Sequence, residues 1–172
     1  MLTYLRSMPS IPEINSMSEN AFVATFGSVF EHSPWIAEKA WSAKPFEDRE
    51  DLLRKLCAVF RSASDEEQLG VIIAHPDLGD RLTALTPEST GEQAAAGLDR
   101  LSTNELLRFQ ENNTAYKAKF GFPFIICARL NDHTKMLDAF ANRLTNDRAT
   151  ELLTALGQIE LIAGLRLHSL IP

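Results

Sequence analysis

No run of this chain approaches the roughly 18 consecutive apolar residues of a membrane-spanning helix. The opening stretch MLTYLRSMPSIPEINSM has no long apolar core of the kind a secretory leader carries. Cysteine is scarce: Cys57 and Cys127 each sit among apolar neighbours, in LLRKLCAVF and FPFIICARL, and read as two buried free thiols. No Cys-x-x-Cys occurs, and His75 and Asp77 offer two metal ligands with no third at suitable spacing, so no metal is expected. Basic clusters are missing too. Lys and Arg total 17 against 23 Asp and Glu, giving a net charge of −6, which argues against nucleic acid as a main partner. There is no Gly-x-Ser-x-Gly, phosphate-binding loop, dinucleotide fingerprint or His-Glu-x-x-His. The closing residues LHSLIP carry no Ser-Lys-Leu address, and the default expectation is a cytoplasmic protein without a membrane partner.

What the chain does have is helical patterning. Its 172 residues suit one domain, 1–172, and 45% hydrophobic against 23% charged residues is an ordinary globular balance. SENAFVATFGSVFEHS puts Phe22, Phe26, Val29 and Phe30 on one face. Ser33 before Pro34 reads as a cap and first-turn pair. DREDLLRKLCAVFRS repeats the stripe at Leu52, Leu53, Leu56, Val59 and Phe60. Ser64 with Glu67, and Ser102 with Glu105, have capping-box spacing. The first of these helices should end at His75-Pro76, with a loop to about Ser89; the second should run to Gly121 with Leu106, Phe109, Tyr116 and Phe120 inward. GFPFIICAR is strand-like in composition but too short to assign by periodicity. Helices over TKMLDAFANRL and RATELLTALGQIELIAGLRLHSLI close an all-α, bundle-like single domain of about seven to nine helices.

Three features fit this pattern badly. Arg166 falls on the apolar stripe of the last helix with Leu152, Leu156, Ile159, Ala163 and Leu170. An inward arginine needs an acceptor, so it is a snorkelling side chain, half of a buried pair, or a guanidinium gripping a planar ligand. Ser89 and Glu92 have S-x-x-E spacing, which reads either as a plain cap or, with Gln93, as a carboxylate and a carboxamide beside a helix start. His75 stands where proline stops a helix, and cap, core filler and catalyst all remain open for it. His32, His133 and His168 read as surface residues.

Four stretches taken together, AHPDLGDR, LTPESTGEQAAAGLDRL, NTAYKAKFGFPFIICAR and IELIAGLRL, resemble the 2-oxo-4-hydroxy-4-carboxy-5-ureidoimidazoline (OHCU) decarboxylase family over about residues 70–167. The resemblance implies an all-α fold and a cofactor-independent decarboxylation that yields (S)-allantoin in urate breakdown. It implies His75 and Glu92, rather than Glu88, as catalytic residues. It places Pro76, Ser89, Gln93 and Arg166 around a small ureide substrate, with contacts from Phe124, Ile125 and Ile126, many of them through backbone. Gly79 fits the family loop, while Asp80 stands where small residues are common. A homodimer and an association with 5-hydroxyisourate hydrolase are open expectations about partners. The competing reading is a non-catalytic helical binding protein, with Arg166 a buried pair and Ser89/Glu92 a plain cap. A third is a relative that acts on another ureide. Only the enzyme readings require His75, Glu92 and Arg166 to meet.

Overall fold

Nine α-helices form in the computed structural model, which describes residues 8–79 and 85–171. They are α1 (Ile11–Ser16), α2 (Glu19–Phe26), α3 (Trp35–Trp41), α4 (Arg49–Ser62), α5 (Asp65–Ile73), α6 (Pro87–Ala95), α7 (Thr103–Phe120), α8 (His133–Arg143) and α9 (Arg148–Leu170). No strand occurs among the described residues, in agreement with the all-α expectation. Asp80 and residues 81–84 of the loop lie outside the described residues. The chain divides into two compact units, one of residues 1–63 and 163–172, the other of residues 64–162.

In the first unit, side-chain caps start α2 and α4. Ser18 accepts from the Ala21 amide and Asp48 from the Asp51 amide, each satisfying an amide with no helical partner. The aromatic stripe read from the sequence is the core: Phe22, Phe26, Val29, Phe30, Leu52, Leu56 and Phe60 are buried. Phe22 stacks on Phe46 and Phe30 tilts against Phe60. Ser33 does not cap α3 as expected. Its hydroxyl donates to the Glu31 carbonyl, and Pro34 stands at the helix entry. Cys57 is only partly buried, a correction to the expected pair of buried thiols, whereas Cys127 in the second unit is buried.

In the second unit, both capping boxes form as spaced: Ser64 with Glu67 opens α5, and Ser102 with Glu105 opens α7. The α7 helix stops at Gly121, whose φ of +80° suits a residue without a Cβ. Its inward face meets α8 in an aromatic cluster of Phe109, Tyr116, Phe120, Phe122, Phe124 and Phe140, with Phe124 stacked on Phe140 at 3.8 Å. Residues 123–127 form neither strand nor helix; a single 3₁₀ turn, Ala128–Leu130, follows them.

Candidate active site

His75 follows the last turn of α5, which ends at Ile73 with Ala74 as its C-cap. Its imidazole Nδ1 lies 2.8 Å from the carbonyl of Val71, one turn back. A carbonyl only accepts, so Nδ1 carries the proton and Nε2 is the basic nitrogen of the neutral ring. The same contact satisfies one of the helix's terminal carbonyls. The cap reading and the catalyst reading of His75 are therefore compatible: one ring nitrogen caps, and the other is oriented by it.

The loop after His75 is held by two carboxamides. Gln93 accepts from the Gly79 amide at 3.0 Å and donates to the Asp77 carbonyl at 3.2 Å. Asn113 donates to the Leu78 carbonyl at 2.9 Å. Gly79 itself has φ +70°, a backbone conformation that L side chains rarely adopt, so glycine fits best there. Asp77 also pairs with Lys117 at 2.5 Å.

The start of α6 overturns the capping-box reading of Ser89 and Glu92. The cap is Thr86, whose hydroxyl accepts from the Ser89 amide at 3.2 Å, with Pro87 in the first turn. The helix thus begins two residues before Ser89, and Ser89, Glu92 and Gln93 lie inside it. At positions i, i+3 and i+4 they share one face, and Ser89 and Gln93 are buried.

His75, Pro76, Ser89, Glu92, Gln93, Phe124, Ile125 and Ile126 all line one cleft, completed by Leu78, Ala128 and Ile162. It holds about 360 Å³ of space including its open mouth. Burial first, and then the Glu92 carboxylate, push the Cys127 thiol above its ordinary pKa, which disfavours the thiolate.

Arg166 belongs to the first unit. It is buried, pairs with Glu31 at 2.8 Å and donates to the Ser28 carbonyl at 3.2 Å, as the buried-pair reading requires.

A second group of polar residues, buried or partly buried, stands behind Phe124 and Ile125. Arg143 donates from Nε to Glu151 at 2.9 Å and from Nη1 to the Ile125 carbonyl at 2.6 Å, and its guanidinium lies 4.2 Å from the Phe124 ring centre. Glu151 also accepts from the Tyr116 hydroxyl and, at 2.7 Å, from Asn146. Burial raises the pKa of Glu151, but hydrogen bonds from Arg143, Tyr116 and Asn146 outweigh it, and the carboxyl ends below its ordinary value. Burial and the bond to Glu151 push the Tyr116 phenol well above its own, so it stays a donor. Sequence reasoning missed this group because each member looked routine. Arg143 reads as a last-turn cation of α8, and Glu151 as a first-turn acid of α9.

Fold and cleft together define an all-α protein with a small site built around one histidine and one carboxylate, with no group of metal-ligating residues among those described. The family model for OHCU decarboxylase matches residues 15–168. A human protein named putative 2-oxo-4-hydroxy-4-carboxy-5-ureidoimidazoline decarboxylase is 43% identical over 164 residues, covering 94% of this chain and 95% of its own. Two crystal structures are similar at 27% identity. One, described as (S)-allantoin synthase, has a TM-score of 0.75 over 95% of this chain, which spans about half of that longer chain (54%). The other, described as OHCU decarboxylase in the presence of (S)-allantoin, has a TM-score of 0.68 and covers 90% of this chain and 98% of its own. The chain belongs to the OHCU decarboxylase family.

Proposed function

We propose that this protein is a carbon–carbon lyase that decarboxylates 2-oxo-4-hydroxy-4-carboxy-5-ureidoimidazoline to (S)-allantoin in urate breakdown. Family membership supports the reaction. One structural observation carries the site: His75 and Glu92, 17 residues apart in sequence, line the same cleft with Ser89, Gln93 and residues 124–126.

The chemistry suits these groups without a cofactor. The substrate has a carboxylate and a hydroxyl on one ring carbon, next to a C=N bond. When CO₂ leaves, the electron pair of the broken C–C bond forms a double bond between the two ring carbons, and the imine π pair moves to its nitrogen, which takes a proton. The hydroxyl then loses its proton as C=O forms, and the neighbouring carbon gains one. The substrate is its own electron sink, so the protein needs only to orient it and to move protons. In this reading His75, through Nε2, exchanges the proton at the hydroxyl or carboxylate. Glu92 binds ring and ureido N–H groups and shares the proton transfer. Pro76, Ser89, Gln93 and the Phe124–Ile126 segment shape and hold the remainder. Arg166 is proposed as a substrate contact on the family resemblance alone.

The test is stereochemical. After CO₂ loss the neighbouring ring carbon is planar, and solvent protonates both its faces, so uncatalysed decay gives racemic allantoin. Circular dichroism of fresh substrate with the protein should show faster decay and an optically active product. Racemic product at the blank rate would refute the proposal. The substrate's spontaneous decay also favours delivery from 5-hydroxyisourate hydrolase. Co-elution of the two proteins tests that, and light scattering tests the expected homodimer. No helix among the described residues is long and apolar enough to cross a membrane. A cytoplasmic site is proposed and is testable by fractionation.

A further inference from the structure

Residues 123–127 have no ladder or helix to fix their backbone, yet Phe124, Ile125 and Ile126 line the cleft. Their fastening is side-chain chemistry. The Cys127 amide donates to Gln158 at 2.8 Å. The Ile125 carbonyl is taken by Arg143, whose orientation is in turn set by Glu151, Tyr116 and the Phe124 ring. The Arg143 side chain is only 12% exposed and that of Glu151 is 0%. A buried ion pair of this kind is a poor device for stability alone, because well-packed apolar residues commonly do as well. What this pair delivers is one fixed peptide.

That peptide joins Ile125 to Ile126. It is trans, so its carbonyl and its N–H point to opposite sides. The carbonyl is held by Arg143. The Ile126 N–H has no hydrogen-bond acceptor among the described residues, and Ile126 lines the cleft. A charged donor on the carbonyl also polarises the peptide and makes its N–H a stronger donor.

We propose that Arg143 is a positioning residue for the decarboxylase reaction: it holds the Ile125–Ile126 peptide so that the Ile126 N–H donates to a carbonyl oxygen of the bound ureide. Glu151, Tyr116 and Asn146 keep Arg143 in place and balance its charge. This rests on the proposed function, because the ligand is that reaction's substrate.

The test uses Arg143→Gln and Arg143→Lys in protein labelled with ¹⁵N-isoleucine, the Ile126 amide being assigned by its loss in Ile126→Val. In the free protein both variants should move the Ile126 amide resonance, Gln more than Lys, because Lys keeps the charge but not the fork. Added (S)-allantoin should shift that resonance downfield in the wild type and less in the variants. With substrate, KM should rise about three- to ten-fold, the range of one hydrogen bond, with kcat changed less. If Arg143→Gln fails to fold, Arg143→Lys carries the test. An Ile126 resonance unmoved in the free variants, or KM within twofold of wild type, would overturn the proposal. So would a fall confined to kcat, which belongs to a group acting on the reacting atoms. Racemic product from the wild type would sink the assigned reaction instead, and the free-protein resonance would still decide whether Arg143 holds this peptide.

Discussion

Replacing Gln93 with leucine separates two roles that one side chain can play. The family resemblance makes Gln93 a substrate contact, while the structure shows its amide spanning the loop that follows His75, bonded to the Gly79 N–H and the Asp77 carbonyl. Leucine fills a similar volume but removes both bonds. At about 0.5–1.5 kcal/mol net for each bond, the loss is about 1–3 kcal/mol. Gln93 is 7% exposed, so water replaces the lost partners poorly and the upper half of that range applies. For a chain of this length, about 2 kcal/mol lowers Tm by roughly 4–8 °C. The loop that follows His75 also loses these two bonds to α6, so kcat falls along with stability. Thermal unfolding and steady-state kinetics on the same preparation read both effects. A residue that only touched substrate would raise KM and leave Tm unchanged. That outcome, or a Tm within 1 °C of wild type by the same arithmetic, would refute the clamp.

Three further outcomes are expected. His75→Ala should cost about 10²–10⁴ in turnover, the worth of a positioned acid–base group, while the helical circular dichroism spectrum is kept; near-wild-type turnover would remove the residue from the mechanism. The Glu151 carboxyl has a lowered pKa in the folded state, so its stabilisation is present at neutral pH and is lost as pH falls through the ordinary carboxylate range toward the folded value; Glu151→Gln should flatten this acid limb in denaturation curves recorded at several pH values, and an unchanged limb would contradict the assignment. Arg166→Lys should lower stability, because the planar fork serves both Glu31 and the Ser28 carbonyl; unchanged KM and kcat in a destabilised variant would restrict Arg166 to its structural pair.

Where local rules govern, the residues alone were enough. The capping boxes at Ser64 and Ser102 and the stop at Gly121 are decided within one helical turn. Of the residues that the family resemblance singles out, His75, Pro76, Ser89, Glu92, Gln93, Phe124, Ile125 and Ile126 line one cleft, and Arg166 is not among its lining. Spacing misled at Ser89–Glu92. S-x-x-E fits a cap, but Thr86, three residues before Ser89 and followed by Pro87, is also a good N-cap and starts the helix earlier. Two local solutions competed, and local rules do not rank them.

The sequence by itself determined the all-α class, most helix starts, the inward stripes and the family, because periodicity and capping depend on neighbours three or four residues apart. Only the tertiary structure decided which side chains meet. It gave Gln93 a loop to hold and set Arg143 behind Phe124 and Ile125. Those contacts join residues up to 18 apart along the chain, and a buried charge finds its partner in space, where the low dielectric makes pairing obligatory.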